Sequence, residues 1–335
     1  MVKIMEKNME NYEVRTDLAV ELISDTTSKE VDGLLVTDIV LNETKALELK
    51  KKPGNYVTIE FSDVTDFDNS EKVSGVFAKE LEKLMHKIGL LEDSTCLVIG
   101  LGNEKTTPDA VGPLVVSKVI VTNHIYVYGK MDNGFRRVFA ISPGVMGETG
   151  IETSDLISGV VSVVNPDFVI VIDALASGSI ERVNKTIQMT DAGINPGSGV
   201  GNKRKEISKD TLGIPVIAIG VPTVVDAASI VSDTIKYMYK HFAYTKANYN
   251  NPAEKLKFKV NYLKKNLNIE FEDKQKILGL VGELSDDEVK SLIYEILNPI
   301  GYNLMVTPKE EDFVVEKLSD VISSGLNSAL HKSVK

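Results

Sequence analysis

The stretch DFVIVIDALAS, residues 167–177, decides the fold of this chain. Its apolar residues from Phe168 to Ile172 are mostly β-branched and do not alternate with polar residues, which is typical of a strand buried on both faces of a parallel sheet. Two runs of the same kind, TCLVIG at 95–100 and IPVIAI at 214–219, lie on either side of it in the sequence. Together they predict the central strands of such a sheet.

Helical patterns separate these runs and follow them. The predicted helices cover 71–88, which ends before Gly89, 154–164, which Thr153 can cap, and 226–242. Shorter apolar stretches at 56–61 and 137–141 predict further strands. Because strands alternate with helices, we predict an α/β fold with a doubly wound, mostly parallel sheet. From Ala247 onward the sequence is Asn-rich and then Lys- and Glu-rich, which predicts a helical C-terminal appendage.

Composition excludes several classes of protein. The chain has 335 residues, with 38 basic and 48 acidic side chains and a net charge of −10. The tight basic runs, at 50–52 and 203–205, are interpreted as solvated faces, so direct nucleic-acid binding is not expected. Cys96 is the single cysteine, which excludes an intrachain disulfide and a CxxC metal site. No apolar run approaches the roughly 18 residues of a membrane span, and we expect a cytoplasmic protein that does not bind membranes.

Three carboxylates follow the three buried runs. Asp109 lies in the loop after the first run, Asp173 directly follows the second, and Asp226 follows the third. In open parallel sheets, sites form at the carboxyl ends of the strands. Asp173 ends an apolar run, and a carboxylate in such a place is expected either to have a hydrogen-bonding partner or to serve in catalysis. The structural alternatives are a hydrogen-bonded acid at Asp173, a helix start at Asp109, and a helix N-cap at Asp226.

Other catalytic motifs are absent or incomplete. The dinucleotide fingerprint fails at Lys105, and neither GxxxxGK[ST] nor GxSxG occurs. The glycine-rich loop 193–202 can either present backbone N–H groups to a ligand or act as a flap. The histidines, none of which follows a predicted strand, are interpreted as surface or helix residues: His86, His124, His241 and His331. What remains is a pair of carboxylates that share one proton and need neither a cofactor nor a thiol, as in aspartic peptidases.

Several segments resemble the germination proteases of spore-forming bacteria. The matching segments extend over nearly the whole chain: VRTDLAVE (14–21), IGLGN (99–103), TPDAVGP (107–113), SPGVMGETGIET (142–153), VIDALAS (171–177), GINPGSGVGN (193–202) and NLMVTPKE (303–310). The resemblance implies an aspartic-type endopeptidase without a cofactor that degrades small acid-soluble spore proteins in the developing spore and the spore core. It also implies a fold similar to hydrogenase-maturation endopeptidases, a zymogen, and a homotetramer. Its catalytic pair falls on Asp109 and Asp173.

The resemblance also implies a propeptide. Residues 16–21, TDLAVE, are similar to the family's substrate site Thr-Glu-apolar-Ala-Ser-Glu. We therefore predict self-cleavage between Asp17 and Leu18, which removes a propeptide of residues 1–17. The expected organisation is then a peptidase domain at 18–246 and a helical region at 247–335 packed on it.

Two alternatives remain open at this point. The first is a metal-dependent processing peptidase of the hydrogenase-maturation type, in which carboxylates hold nickel and His124 is the only candidate histidine in the middle of the chain. The second is a small-ligand binding module that uses loop 193–202. Cleavage of a spore protein with and without a chelator separates the three hypotheses.

Overall fold

The computed structural model describes residues 16–23, 26–129, 133–197, 204–251, 253, 267, 269–297 and 304–334. Residues 1–15 of the predicted propeptide and residues 198–202 of the glycine-rich loop lie outside the described residues. Contacts divide the chain into a larger unit, Arg15–Ser177 with Glu181–Val224 and Thr307–Lys335, and a smaller unit that consists mainly of Val225–Val306. No described helix is long and apolar enough to cross a membrane.

The elements have the following bounds. The strands are β1 (Ser28–Val31), β2 (Leu34–Leu41), β3 (Gly54–Glu60), β4 (Cys96–Gly100), β5 (Val138–Ile141), β6 (Phe168–Ser177), β7 (Thr186–Thr190), β8 (Val216–Asp226) and β9 (Met305–Val306). The α-helices are α1 (Glu43–Glu48), α2 (Phe67–Lys87), α3 (Val111–Lys118), α4 (Asn123–Val127), α5 (Met146–Thr149), α6 (Thr153–Val164), α7 (Lys209–Leu212), α8 (Ala227–Ala247), α9 (Phe271–Leu278), α10 (Asp286–Leu297) and α11 (Glu311–Leu330).

The larger unit is built on a mixed sheet in the order β1-β2-β3-β7-β8-β6-β4-β5. The predicted strands at 95–100 and 167–172 are β4 and β6, which pair in parallel, and β5 pairs in parallel with β4. From β1 to β8 the neighbouring strands are antiparallel. Gly100 at the end of β4 lies opposite Ile172, so the loop that holds Asp109 begins beside Asp173.

Helices cover both faces of the sheet, which confirms the predicted α/β class. On one face α2, α3 and α11 pack over the inward side chains of β4 and β6, such as Val98 and Ile170. On the other face Ile157 of α6 packs with Leu97 and Val169. The fully apolar runs of β4 and β6 are thus explained by burial on both sides.

Local signals explain most helix ends. Helix α2 begins after Asp66, whose carboxylate accepts the N–H of Asn69 at 2.9 Å, and ends before Gly89, which has a φ of +81°. The N-cap of α6 is Glu152, and Thr153, predicted as the cap, is the first helical residue. Pro113 is tolerated in α3 because it lies in the first turn, where backbone N–H groups have no partner within the helix.

The smaller unit is mostly helical. Its core joins Ala228 of α8 to Val289 and Ile293 of α10. Within this unit, β9 pairs antiparallel with the last two residues of β8. The last helix, α11, belongs to the larger unit rather than to the helical unit. The partition by contacts therefore differs from the boundary expected at residue 247.

Candidate active site

Asp109 is positioned by a tight turn after β4. It ends a short 3₁₀ helix, Thr107–Asp109, and its N–H donates to the Thr106 carbonyl at 2.7 Å. Its Oδ2 accepts the N–H of Asn103 at 2.8 Å. Gly102 allows this packing because its φ is +110° and a Cβ there would lie 2.0 Å from the Asp109 carbonyl oxygen. The turn therefore fixes both the backbone and the carboxylate of Asp109.

Asp173 lies inside β6 rather than at its end. The strand continues to Ser177, and beyond Asp173 the Ala176 carbonyl also accepts the N–H of Asp17. The Asp173 side chain is buried, and its Oδ1 accepts the N–H of Ala174 at 3.0 Å. Asp173 nevertheless lies near the end of the neighbouring β4, where the sequence analysis expects a site.

Burial raises the pKa of both carboxyl groups, to different extents. The pKa of Asp173 is raised well above its usual range, first by burial and then by the negative charges of Asp109 and Asp17. Burial also raises the pKa of Asp109, but the N–H of Asn103 and the charge of Arg204 oppose the rise. The environment therefore favours a proton on Asp173.

The two aspartates line one cleft of about 290 Å³ within the larger unit. Asp17, Arg204 and residues 196–197 of the glycine-rich loop line the same cleft. Neither a histidine nor a cysteine is among its described lining residues, and within the described part of the chain no group of three or more His, Cys, Asp or Glu side chains is arranged to hold a metal ion. The structure thus brings together Asp17, Asp109 and Asp173.

The other candidates lie elsewhere. Asp226 caps α8 by accepting the N–H of Ala228 at 2.7 Å, as the structural alternative expects. Cys96 is buried in β4, where burial raises the pKa of its thiol. His124 lies on α4 and is not a lining residue of the cleft.

The segment 16–21 is hydrogen-bonded to the last residues of β6. Asp17 pairs with Ala176 in both directions: its N–H donates to the Ala176 carbonyl, and its Oδ2 accepts the Ala176 N–H, each at 2.9 Å. Leu18 is fully buried in a cluster with Ile39 and Leu175. Glu21 accepts a hydrogen bond from the Ser177 hydroxyl at 2.8 Å.

Two residues that bind this segment were not identified from the sequence. Lys51 donates to the Thr16 carbonyl at 3.0 Å, and burial lowers the pKa of its ammonium group against the opposing charges of Asp17 and Glu21. This contact differs from the solvated face expected for 50–52. Gln188 on β7 contacts the backbone of residues 17 and 19. In the sequence, TIQMT alternates polar and apolar residues, which is typical of a strand, but this pattern does not identify the partners of Gln188.

Comparisons with known proteins show which family the sequence matches. A sequence model described as germination protease matches residues 2–335. Germination proteases of Bacillus cereus (strain B4264) and Bacillus anthracis are each 48% identical to this chain, and each alignment covers 98% of this chain and 96% of the relative. Among solved structures, the NiFe hydrogenase maturation protease HycI of Thermococcus kodakarensis is 19% identical with a TM-score of 0.29, over 43% of this chain and 80% of that one. Matched over almost its whole length and nearly half identical to these relatives, the chain belongs to the germination protease family and is a peptidase.

Proposed function

We propose that this peptidase is an aspartic-type endopeptidase that cuts small acid-soluble spore proteins during germination, with Asp109 and Asp173 activating the attacking water. The observation that carries the proposal is that both carboxyl groups line one cleft and that the charge of Asp109 raises the pKa of Asp173. Like charges in one site favour a pair that holds a single proton between its members. Membership of the family shows that the chain is a peptidase. The aspartate dyad and the spore-protein substrate are proposed.

In the proposed reaction the proton is held by Asp173 and the negative charge by Asp109. Asp109 takes a proton from water as the water oxygen attacks the carbonyl carbon of the peptide, and Asp173 gives its proton to the carbonyl oxygen. The tetrahedral intermediate then loses its C–N bond. Asp109 passes its proton to the leaving amine, and Asp173 recovers a proton from a hydroxyl of the intermediate, so the pair returns to its starting state.

We propose that the same pair removes the propeptide by cutting between Asp17 and Leu18. Asp17 lines the cleft together with Asp109 and Asp173, which supports this assignment. The backbone N–H of Asp17 donates to the Ala176 carbonyl of β6, and Leu18 is extended with φ −82° and ψ 122°, so the proposed cut lies in backbone that is held against the sheet before the 3₁₀ turn at Ala19–Glu21. The proposed first residue of the mature chain, Leu18, is held in a buried pocket.

The test compares Asp109→Asn and Asp173→Asn with Asp226→Asn as the matched control. Asparagine retains the ability to cap a helix, so the control should fold and cleave like the wild type. The two dyad variants should lose at least about 100-fold in cleavage of a purified spore protein and should not generate an N-terminus at Leu18. Cleavage at the wild-type rate by either dyad variant would refute the proposal.

The metal-dependent alternative is tested in the same assay. Oxygen ligands alone suit zinc and nickel poorly, so cleavage should persist within about twofold in excess EDTA. Activity that a chelator abolishes and that nickel or zinc restores would favour the alternative over the aspartate dyad.

The remaining expectations concern assembly and location. On the basis of the resemblance, we propose that the protein works as a homotetramer in the spore core. Sedimentation of the full-length chain and of the processed chain tests the first part, and a monomer in both forms would contradict it.

A further inference from the structure

Gln188 is buried on the face of β7 that points away from the main hydrophobic core. Ile187 and Met189 point into the main core, whereas Gln188 lies on the opposite side of the strand, between β3 and β8. Only 5% of Gln188 is exposed. A buried carboxamide must find hydrogen-bond partners, because an unpaired one destabilises the folded state.

The partners of Gln188 are the backbone groups on either side of Leu18. Its Nε2 donates to the carbonyl oxygen of Asp17 at 3.2 Å, and its Oε1 accepts the N–H of Ala19 at 2.7 Å. A carbonyl oxygen only accepts and a backbone N–H only donates, so these contacts fix which end of the carboxamide faces which group. The side chain therefore spans the Asp17–Leu18 peptide bond.

We propose that Gln188 is a catalytic residue that binds the peptide to be cut and stabilises the negative charge that develops on its carbonyl oxygen while the proton of Asp173 is being transferred. The inference rests on the proposed function, because it takes Asp17–Leu18 as the bond that is cleaved. The class of ligand is a peptide that is extended at the cut and turns after it, as at Leu18 and Ala19–Glu21, and it is bound through the carbonyl before the cut and the N–H two residues later. Recognition of backbone groups leaves the choice of side chains to the residues that line the cleft.

The chemistry is that of a preorganised hydrogen-bond donor. A carbonyl oxygen has two lone pairs, so it can accept the bond from Nε2 and the proton of Asp173 together. When water attacks, negative charge develops on this oxygen, and a donor held in a buried site stabilises the charge without reorganisation. The second bond, to Ala19, fixes the register of the strand and keeps the carbonyl aligned.

The first experiment separates binding from catalysis. Gln188→Met keeps the length of the side chain but removes both hydrogen bonds, and Thr186→Val is the matched control on the same face of β7. The Thr186 hydroxyl has no partner among the described residues. We expect Gln188→Met to lower kcat for a peptide with the sequence of residues 10–25 about 100-fold and to slow self-processing equally, with Thr186→Val unchanged within about twofold.

The second experiment uses pH. In Gln188→Glu the carboxylate repels the carbonyl oxygen at neutral pH, whereas the protonated acid can donate to it. The ratio of its kcat to that of the wild type should therefore rise as pH falls. A role in packing alone would leave this ratio constant once kcat is expressed per folded molecule, because a buried carboxylate also destabilises the folded state at neutral pH.

A modified peptide provides the third arm. N-methylation at the position of Ala19 removes the N–H that Oε1 accepts, so it should reduce cleavage by the wild type and have little further effect on Gln188→Met. A folded Gln188→Met with wild-type kcat, or one in which only KM changes, overturns the inference. Such a result leaves the proposed function intact, since that depends on the Asp109 and Asp173 variants. If Gln188→Met does not fold, the pH ratio of Gln188→Glu decides.

Discussion

Asp109 and Asp173 line the same cleft, but their surroundings stabilise a negative charge on them to different extents. Asp109 receives a backbone N–H from Asn103, which stabilises its carboxylate, while Asp173 is more deeply buried and faces two other acids. This asymmetry separates the base from the acid in the proposed reaction. It also means that the charged form of Asp173 destabilises the folded protein.

We predict that Asp173→Asn raises the free energy of unfolding at pH 7. The folded-state pKa of Asp173 lies above its unfolded value. Asp173 therefore costs no stability below the unfolded pKa, and it lowers the free energy of unfolding increasingly as pH rises toward the folded pKa. Asparagine carries no charge and therefore lacks this cost, which accumulates at about 1.4 kcal/mol for each pH unit between the unfolded pKa and the lower of pH 7 and the folded pKa. Urea unfolding at pH 7 and pH 4 measures it. The gain should shrink at pH 4, and equal destabilisation at both pH values would contradict the prediction.

Gly102 is predicted to be indispensable for the position of Asp109. An alanine there would need a φ of +110° and would bring its Cβ to 2.0 Å from the Asp109 carbonyl oxygen. The turn must then shift, so Gly102→Ala should reduce cleavage at least about tenfold, since small displacements of reacting groups cost that much. Gly75→Ala is the control, because Gly75 lies in α2 with open space around it. Equal rates for both variants would show that the turn does not set the Asp109 geometry.

At the scale of elements, hydrogen bonds of His331 connect the end of α11 to the residues that precede β5. His331 follows the helix and is fully buried, although its sequence suggests a surface or helix position. Its Nδ1 accepts the N–H of Arg136 at 3.2 Å, and its Nε2 lies 3.1 Å from the Ile120 carbonyl. Both contacts are satisfied by one tautomer of the neutral ring, with the proton on Nε2.

We predict that the hydrogen bonds of His331 contribute less to the free energy of unfolding in mild acid. Burial lowers the pKa of His331, so its contribution is fully present above the unfolded value of about 6.5 and declines as pH falls toward the folded pKa. His331→Gln cannot titrate, and it should lose less free energy of unfolding than the wild type between pH 7 and pH 5. The exposed His86, changed to Gln, serves as the control. An identical pH dependence in wild type and His331→Gln would refute the argument.

At the scale of the whole molecule, the sequence predicts what is encoded locally. The apolar runs of β4 and β6 indicate their burial, and the loop that holds Asp109 follows from the end of β4. Among the antiparallel strands, β3 matches the stretch predicted at 56–61, whereas β1, β2 and β7 were not assigned. The order of the strands was not predicted, because it depends on contacts between distant segments. Gln188 binds residues 169 and 171 positions away, so no spacing in the sequence reveals its partners. Family resemblance, rather than local pattern, predicts the role of Asp17 and Leu18.

The same long-range arrangement predicts how the proposed self-processing depends on pH. The charge of Asp17 helps to raise the pKa of Asp173, so the segment proposed to be cut helps to keep a proton on the acid proposed to cut it. Asp17→Asn removes that charge, lowers the pKa of Asp173, and should shift the alkaline limb of the processing rate toward lower pH. The asparagine side chain in this variant retains an oxygen that can accept the Ala176 N–H, so the strand should stay in register. Single-turnover appearance of the Leu18 N-terminus between pH 4 and pH 9 gives the profile, and Asp226→Asn is the control that should leave it unchanged. An alkaline limb that does not move in Asp17→Asn, or that moves to higher pH, would show that Asp17 does not tune the dyad.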